Sequence, residues 1–154
     1  MYNIIFLFCI AASIAGIQMG MHFWRNQRAA KWFARGVHSL EQRDFQGAAT
    51  AFRKVSSMAP QILQARVLLA TALARSGNEE EAIEQMSLLE ALHPNEAQVW
   101  AMVCTFYISN LPQYREKYLH AFARTKELDE AVAEDLRTHE GLKTFLSQET
   151  PADN

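Results

Sequence analysis

Small and apolar residues recur with a period of 34 positions through the middle of the chain. Shifting the sequence by 34 superimposes Ala48 on Ala82 and Pro60 on Pro94. Within each copy the apolar positions follow one another at three- and four-residue spacing, which is the period of an amphipathic α-helix. A fixed period of this length indicates stacked supersecondary units, here pairs of helices. The predicted fold class is all-α.

Turn signals divide the repeats into individual helices. Asp44 stands at the expected N-cap of a helix, and Gly77 followed by Asn78 is typical of one helix ending and the next beginning. Pro60 and Pro94 each prevent a helix from continuing. The pattern predicts helices over Ala29–Gln42, Phe45–Ala59, Ile62–Ser76, from Glu79 toward Pro94, Gln98–Ser109 and Gln113–Lys126, and a last one from Asp129 or Glu130.

The third unit departs from the repeat after its first helix. Glu116 stands where Ala82 predicts a small residue, and His120 stands where Met86 predicts a large apolar one. An Asn-Leu-Pro turn over 110–112 precedes this helix. We therefore expect the helix to pack in a shifted register, as terminal repeats commonly do.

An apolar run, Ile4–Trp24, precedes the repeats. Its 21 residues would form a helix of about 31 Å, the thickness of a bilayer core. Two interpretations remain open: a retained transmembrane anchor over 1–24, or a signal peptide cleaved after Ala15. No basic residue precedes the run and several follow it, which favours an anchor with the N-terminus outside and the repeats in the cytoplasm. Small residues spaced by four predict a helix-packing face within the anchor: Ala12, Gly16 and Gly20.

Charge is unevenly distributed although the net charge is only −2. Residues 25–35 carry four cations and no acid, whereas residues 127–154 carry eight acids against two cations. Directly after an anchor, in a linker over 25–28 and the helix that follows, such cations suit anionic lipid headgroups. The predicted lipid contacts are Arg25, Arg28, Lys31 and Arg35. The net charge does not indicate a nucleic-acid partner.

Residues suited to catalysis or metal binding are scattered. The five histidines form no His-x₃-His or His-Glu-x₂-His pattern, and the two cysteines, Cys9 and Cys104, form no Cys-x₂-Cys pair. We predict no catalytic residue, no metal site and no cofactor, and therefore a protein that is not an enzyme. Both cysteines are expected to be small buried residues.

The order of small and large residues in each copy resembles the tetratricopeptide repeat (TPR). The first copy matches that family's pattern at Trp32, Gly36, Phe45, Ala48, Phe52 and Pro60, and the second at Leu69, Ala70, Ala82, Leu92 and Pro94. The resemblance implies a short α-solenoid with units over 29–62, 63–96 and a degenerate 97–128. A capping helix over 129–147 and a disordered tail over 148–154 would follow. The layout of anchor, basic stretch and repeats looks like that of bacterial inner-membrane TPR proteins.

In TPR stacks the first helix of each unit lines a concave side that binds peptides. The resemblance and the register together place nine residues there: Phe33, Val37, Leu40, Val67, Thr71, Ala74, Ala101, Thr105 and Ile108. The lysines and asparagines that grip a C-terminal carboxylate in some members are absent, so we expect an apolar groove for an amphipathic or extended partner segment. The alternative is that the capping helix or a second copy fills part of the groove.

The sequence therefore predicts a membrane-anchored TPR adaptor that binds a membrane-associated protein partner and assembles or regulates a membrane complex. Two alternatives stay open: a constitutive structural subunit of a large membrane complex, and an exported soluble protein after signal cleavage. The identity of the partner and the number of copies do not follow from the residues.

Overall fold

The computed structural model describes residues 25–138, which form helices joined by short turns, with no strand in that range. Within the described range, no helix combines the length and the apolar character needed to cross a bilayer. The predicted anchor over 1–24, its packing face at Ala12, Gly16 and Gly20, and the chain beyond 138 lie outside the described residues.

Seven helical segments follow one another in residues 25–138. Their bounds are α1 (25–41), α2 (Phe45–Met58), α3 (Leu63–Arg75), α4 (Glu79–Leu92), α5 (Ala97–Asn110), α6 (Arg115–Leu128) and α7 (Glu130–Arg137). Consecutive helices pack on each other most extensively, α2 on α3, α3 on α4 and α5 on α6. Contacts between α3 and α5 and between α5 and α7 align the odd-numbered helices along one side. This arrangement is a short solenoid of helical hairpins, as predicted.

The first hairpin is fixed by a cap and by a close approach of two helices. The Asp44 carboxylate accepts a hydrogen bond from the backbone N–H of Gly47 at 2.9 Å, which confirms Asp44 as the N-cap of α2. Gly36 lies against the ring of Phe52, and a Cβ at Gly36 would stand 2.8 Å from two ring carbons. Only a residue without a side chain lets α1 and α2 come this close, and glycine stands here although its helix propensity is lower than that of any other residue except proline.

The turn between α3 and α4 closes in the left-handed conformation. Gly77 has a φ of +87°, where a side chain would be strained. The N–H of Asn78 donates to the carbonyl of Leu73 at 2.9 Å, and that of Gly77 to the carbonyl of Ala74 at 3.1 Å. These two bonds are the Schellman pattern that satisfies the last carbonyls of α3. Asn78 is the N-cap residue of α4, as predicted, although its side-chain amide donates to the Glu81 carboxylate at 2.8 Å and makes no hydrogen bond with a backbone N–H of the helix.

The second helix of the third unit starts two residues later than the repeat predicts. The start of α4 lies 34 residues after that of α2 (79 − 45), whereas the start of α6 lies 36 after that of α4 (115 − 79). Two residues turn a helix by about 200°. Glu116 and His120 therefore point outward and are exposed, whereas Tyr118, Ala121 and Thr125 are buried. The predicted shift of register is confirmed.

One continuous hydrophobic cluster runs through the hairpins. Its largest fully buried side chains include Tyr107, Phe52, Phe106, Leu69 and Met86. Burying a side chain of this kind contributes about 1.5–3 kcal/mol relative to leaving it in water. Because each hairpin shares this cluster with its neighbours, the stack holds the odd-numbered helices in fixed positions and so shapes the concave side.

Candidate functional site

A groove opens on the concave side between α3, α5 and α7. Its volume is about 550 Å³. The residues lining it are Val67, Thr71 and Arg75 from α3, Gln98, Ala101, Met102, Thr105, Phe106, Ser109 and Asn110 from α5, and Asp135, Leu136 and Thr138 from α7 and its end. A cleft of this size lined by three elements is large enough to receive several side chains of a peptide.

Two threonine hydroxyls in the groove can accept hydrogen bonds but have no free hydrogen to donate. The Thr71 hydroxyl donates to the carbonyl of Val67 at 2.9 Å, and the Thr105 hydroxyl donates to the carbonyl of Ala101 at 2.9 Å. Each hydroxyl hydrogen is thereby engaged within its own helix, while the oxygen keeps a lone pair to accept a bond. Val67, Ala101 and Met102 line the same groove, so it suits an apolar side chain beside an N–H donor.

One end of the groove is polar. The Arg75 guanidinium donates from Nε to the Asn110 side-chain oxygen at 3.3 Å, which holds the cation at the groove wall. The Asn110 amide in turn donates to the carbonyl of Phe106 at 3.1 Å. Asp135 lines the same cavity from α7. The lining of the groove thus includes charges of both signs, which the prediction of an apolar groove missed.

The predicted groove residues divide into three sets. Val67, Thr71, Ala101 and Thr105 line the groove together. Phe33 lines a second hollow of about 550 Å³ near the start of α1, together with Ala30, Ala34 and Ile62 among others. The remaining four are half-buried, pack against the core and line neither cavity: Val37, Leu40, Ala74 and Ile108.

The capping helix forms one wall of the groove. Leu136 on α7 is buried and also lines the cavity, and α7 packs on both α5 and α6. The Asp129 carboxylate caps this helix by accepting from the N–H of Ala131 at 2.9 Å. α7 therefore forms one wall of the groove, and a cavity of about 550 Å³ stays open between α3, α5 and α7.

A second polar cluster lies between α4 and α6, away from the groove. Glu90 and His120 line a cavity of about 770 Å³ there. Burial raises the pKa of the Glu90 carboxyl, and the positive charges of Lys117 and His120 partly offset that rise. Behind it, the Tyr107 hydroxyl is fully buried with no hydrogen-bond partner. Burial, with Glu90 and Tyr114 nearby, raises the pKa of Tyr107 to about 12.

The remaining sequence predictions fall on ordinary structural positions. Cys104 is buried, and burial raises the pKa of its thiol to about 12. His93 is the C-cap residue of α4 and pairs with Glu96 at 2.8 Å. The predicted lipid-contact residues are all exposed on α1: Arg25, Arg28, Lys31 and Arg35. Residues 25–138 contain no group of three side chains placed to hold a metal ion.

The polar groove residues were the ones that sequence reasoning missed. Arg75, Asn110 and Asp135 belong to three different helices, and no local pattern brings them together. The packing of α3 on α5 brings Arg75 to Asn110, and the packing of α7 on α5 adds Asp135 to the same cavity. Arg75 and Asn110 are 35 residues apart, close to one repeat, and that spacing was the one signal available.

Stacked antiparallel hairpins with an open concave groove define the class of α-solenoid repeat proteins. A family model described as tetratricopeptide repeat matches residues 39–103, from the end of α1 to the middle of α5. The match and the repeated hairpins together support a tetratricopeptide-repeat protein. A comparison with curated proteins finds no match to the chain.

Proposed function

We propose that the chain is a membrane-anchored adaptor that holds a segment of a partner protein in the concave groove. The observation that carries the proposal is the open groove between α3, α5 and α7, with acceptor oxygens at Thr71 and Thr105 and with Arg75 and Asp135 in its lining. Tetratricopeptide repeats support protein–protein interaction.

The groove chemistry suggests what the partner segment contains. One or two apolar side chains would fill the space beside Met102 and Phe106, and buried apolar area would supply most of the affinity. A polar or charged residue of the segment would lie beside Arg75 or Asp135. A tethered adaptor raises the effective concentration of a membrane-associated partner, so a weak groove suffices.

The membrane attachment in this proposal is supported by the apolar run over 4–24 and by the cations after it. The proposed topology is single-pass with the repeats in the cytoplasm. Fractionation with N-terminal sequencing tests it, because a mature chain that starts at Gly16 would establish export instead. Stoichiometric co-purification through detergent gel filtration would favour the alternative of a constitutive structural subunit.

The groove is tested by a pair of matched variants. Ala101→Arg places a long cation in the middle of the groove, whereas Ala123→Arg places the same side chain at an exposed position of α6. A photo-crosslinker at position 105 in native membranes identifies the partner first. We expect Ala101→Arg to weaken capture of that partner at least tenfold and Ala123→Arg to leave it unchanged, with both variants retaining the far-UV circular dichroism of the parent. Equal capture by both variants would refute a role for the groove.

A further inference from the structure

The outward side of α1 carries a row of cations. Arg25, Arg28, Lys31 and Arg35 follow one another at spacings of three, three and four, which places them on one face of a helix. All four are exposed. The first acid after them along α1 is Glu41, at the far end of the helix.

A fifth cation joins this row from α2. The ammonium of Lys54 lies 3.9 Å from the centre of the Trp32 ring, and the guanidinium carbon of Arg35 lies 5.2 Å from the same ring. Trp32 is half-buried between them and presents an aromatic ring in the middle of the charges. We call this surface the basic face; it consists of Arg25, Arg28, Lys31, Arg35 and Lys54 around Trp32.

Carboxylates do not neutralise the basic face within the described residues. The cations of residues 25–138 that pair with carboxylates lie outside the basic face, as in the pairs of Arg53 with Glu81 and Lys126 with Glu130. The last two helices carry no such excess of one sign, since residues 115–138 contain six acids and five cations, a net charge of −1 (6 acids against 5 bases). The excess positive charge of the basic face would therefore orient the solenoid with α1 toward an anionic surface.

We propose that the basic face lies on the anionic headgroups of a phospholipid membrane, with α1 parallel to the membrane plane. The proposal rests on the membrane attachment argued above and adds the orientation of the solenoid. Arg25 and Arg35 are ten residues apart, about 15 Å along the helix axis. If α1 stood upright, Arg35 would be farther from the headgroups than the Debye length of about 8 Å at physiological ionic strength. All five cations contribute only when the helix lies flat.

Trp32 fits the same orientation. An indole ring prefers the headgroup region of a membrane, where its apolar body and its N–H group are both accommodated. With α1 flat, Trp32 would enter that region between Lys54 and Arg35. Phe33 lies two residues from both Lys31 and Arg35, about 200° around the helix, so the concave side of α1 would then face away from the lipid.

The test measures lysine acylation by mass spectrometry on the full chain in nanodiscs. Lys31 and Lys54 report on the basic face, and the exposed Lys117 and Lys126 on α6 serve as internal controls. A neutral acylating reagent is used in discs of phosphatidylcholine alone and in discs with about one third phosphatidylglycerol. We expect acylation of Lys31 and Lys54 to slow at least threefold in the anionic discs and to recover in 0.5 M salt, with the control lysines unchanged. Equal rates in both kinds of disc would overturn the proposal.

A charge-reversal pair separates the basic face from a general charge effect. Arg28→Glu with Arg35→Glu keeps both reporter lysines, and Arg115→Glu with Arg124→Glu makes the same change in net charge on α6. We expect the first pair to abolish the slower acylation and the second to retain it. Slower acylation that survives the first pair would also overturn the proposal.

Two further arms distinguish this proposal from the others. Incorporation of the chain into neutral discs reports the anchor, and partner capture reports the groove, so either can fail while the lysine result stands. Protection of Lys31 and Lys54 by a soluble polyphosphate in neutral discs, equal to that in anionic discs, would assign the basic face to a soluble anion and overturn the lipid assignment.

Discussion

Replacing Gly36 with alanine places a methyl group where α1 and α2 come closest. The new carbon would lie 2.8 Å from two atoms of the Phe52 ring, well inside the usual contact distance of about 3.5–4.0 Å. Phe52 is fully buried, and its ring packs edge-on against Phe33 with 5.6 Å between ring centres. The ring therefore cannot move away from Gly36 without disturbing its own contacts.

Two effects of opposite sign determine how much Gly36→Ala changes the free energy of unfolding. Alanine gains about 1 kcal/mol over glycine in helix propensity. Overpacking a well-packed core costs about 1–3 kcal/mol. With a cost near the middle of that range, we expect Gly36→Ala to lower the free energy of unfolding by about 1 kcal/mol. For a domain of this size, that corresponds to a fall in Tm of about 4 °C.

Urea unfolding of the full chain in mild detergent, followed by far-UV circular dichroism, measures the change. Phe52→Leu supplies the decisive background, because a smaller side chain removes the collision while the propensity gain remains. In that background we expect Gly36→Ala to be neutral or stabilising, so that the two changes show a coupling of about 1 kcal/mol or more. A stabilisation of about 1 kcal/mol by Gly36→Ala in the parent would refute the reasoning, since it would mean that the Phe52 ring yields freely.

Three other changes test single contacts by the same measurement. Glu90→Gln should stabilise the chain at neutral pH and have no effect near pH 4. Burial raises the pKa of Glu90 despite the nearby charges of Lys117 and His120, so the folded chain binds the proton more tightly than the unfolded chain. The stability of the parent therefore falls as pH rises through the raised pKa. An effect that is the same at both pH values would contradict this. Tyr107→Phe removes a buried hydroxyl without a hydrogen-bond partner and should stabilise the folded chain by roughly 1 kcal/mol. It should also reduce the loss of stability between about pH 10 and 12, where only the phenol of the unfolded chain ionises. A destabilised Tyr107→Phe chain would mean that the hydroxyl has a partner. Asp44→Ala removes the side-chain cap of α2 and should cost about 1 kcal/mol, whereas Asp44→Asn should cost far less; equal losses would contradict the cap.

The helical hairpins could be predicted because their signals are local. Asp44 and Gly77 mark helix ends by properties of one residue each, a short capping side chain and a free backbone. The 34-residue period then fixed the pairing of helices, since each hairpin must bury its apolar face on the next. The predicted bounds of α2, α3, α5 and α6 differ from the observed ones by at most two residues, which is the usual uncertainty of helix termini.

The groove could be predicted only in part because it depends on where distant helices meet. The register placed Thr71 and Thr105 correctly, since both occupy equivalent positions of the repeat. Asp135 was missed because it lines the groove through the packing of α7 on α5, which no periodicity encodes, and Arg75 because its partner Asn110 lies on a different helix, α5. The two-residue shift of the second helix in the third unit was visible as Glu116 and His120 at apolar positions, but its length became clear only from the observed start of α6.

One helix combines the packing, binding and membrane features of this chain on separate sides. On α1, Gly36 packs against α2, Phe33 lines a hollow on the concave side, and Lys31 belongs to the basic face. A helix is rigid over this length, so a membrane contact that fixes the rotation of α1 also fixes the direction in which the groove opens. The position of each residue on α1 is therefore constrained by more than its local packing. A substitution that rotates or bends α1, such as one at Gly36, should change lysine acylation at the membrane and partner capture in the groove together, whereas Ala101→Arg should change capture alone.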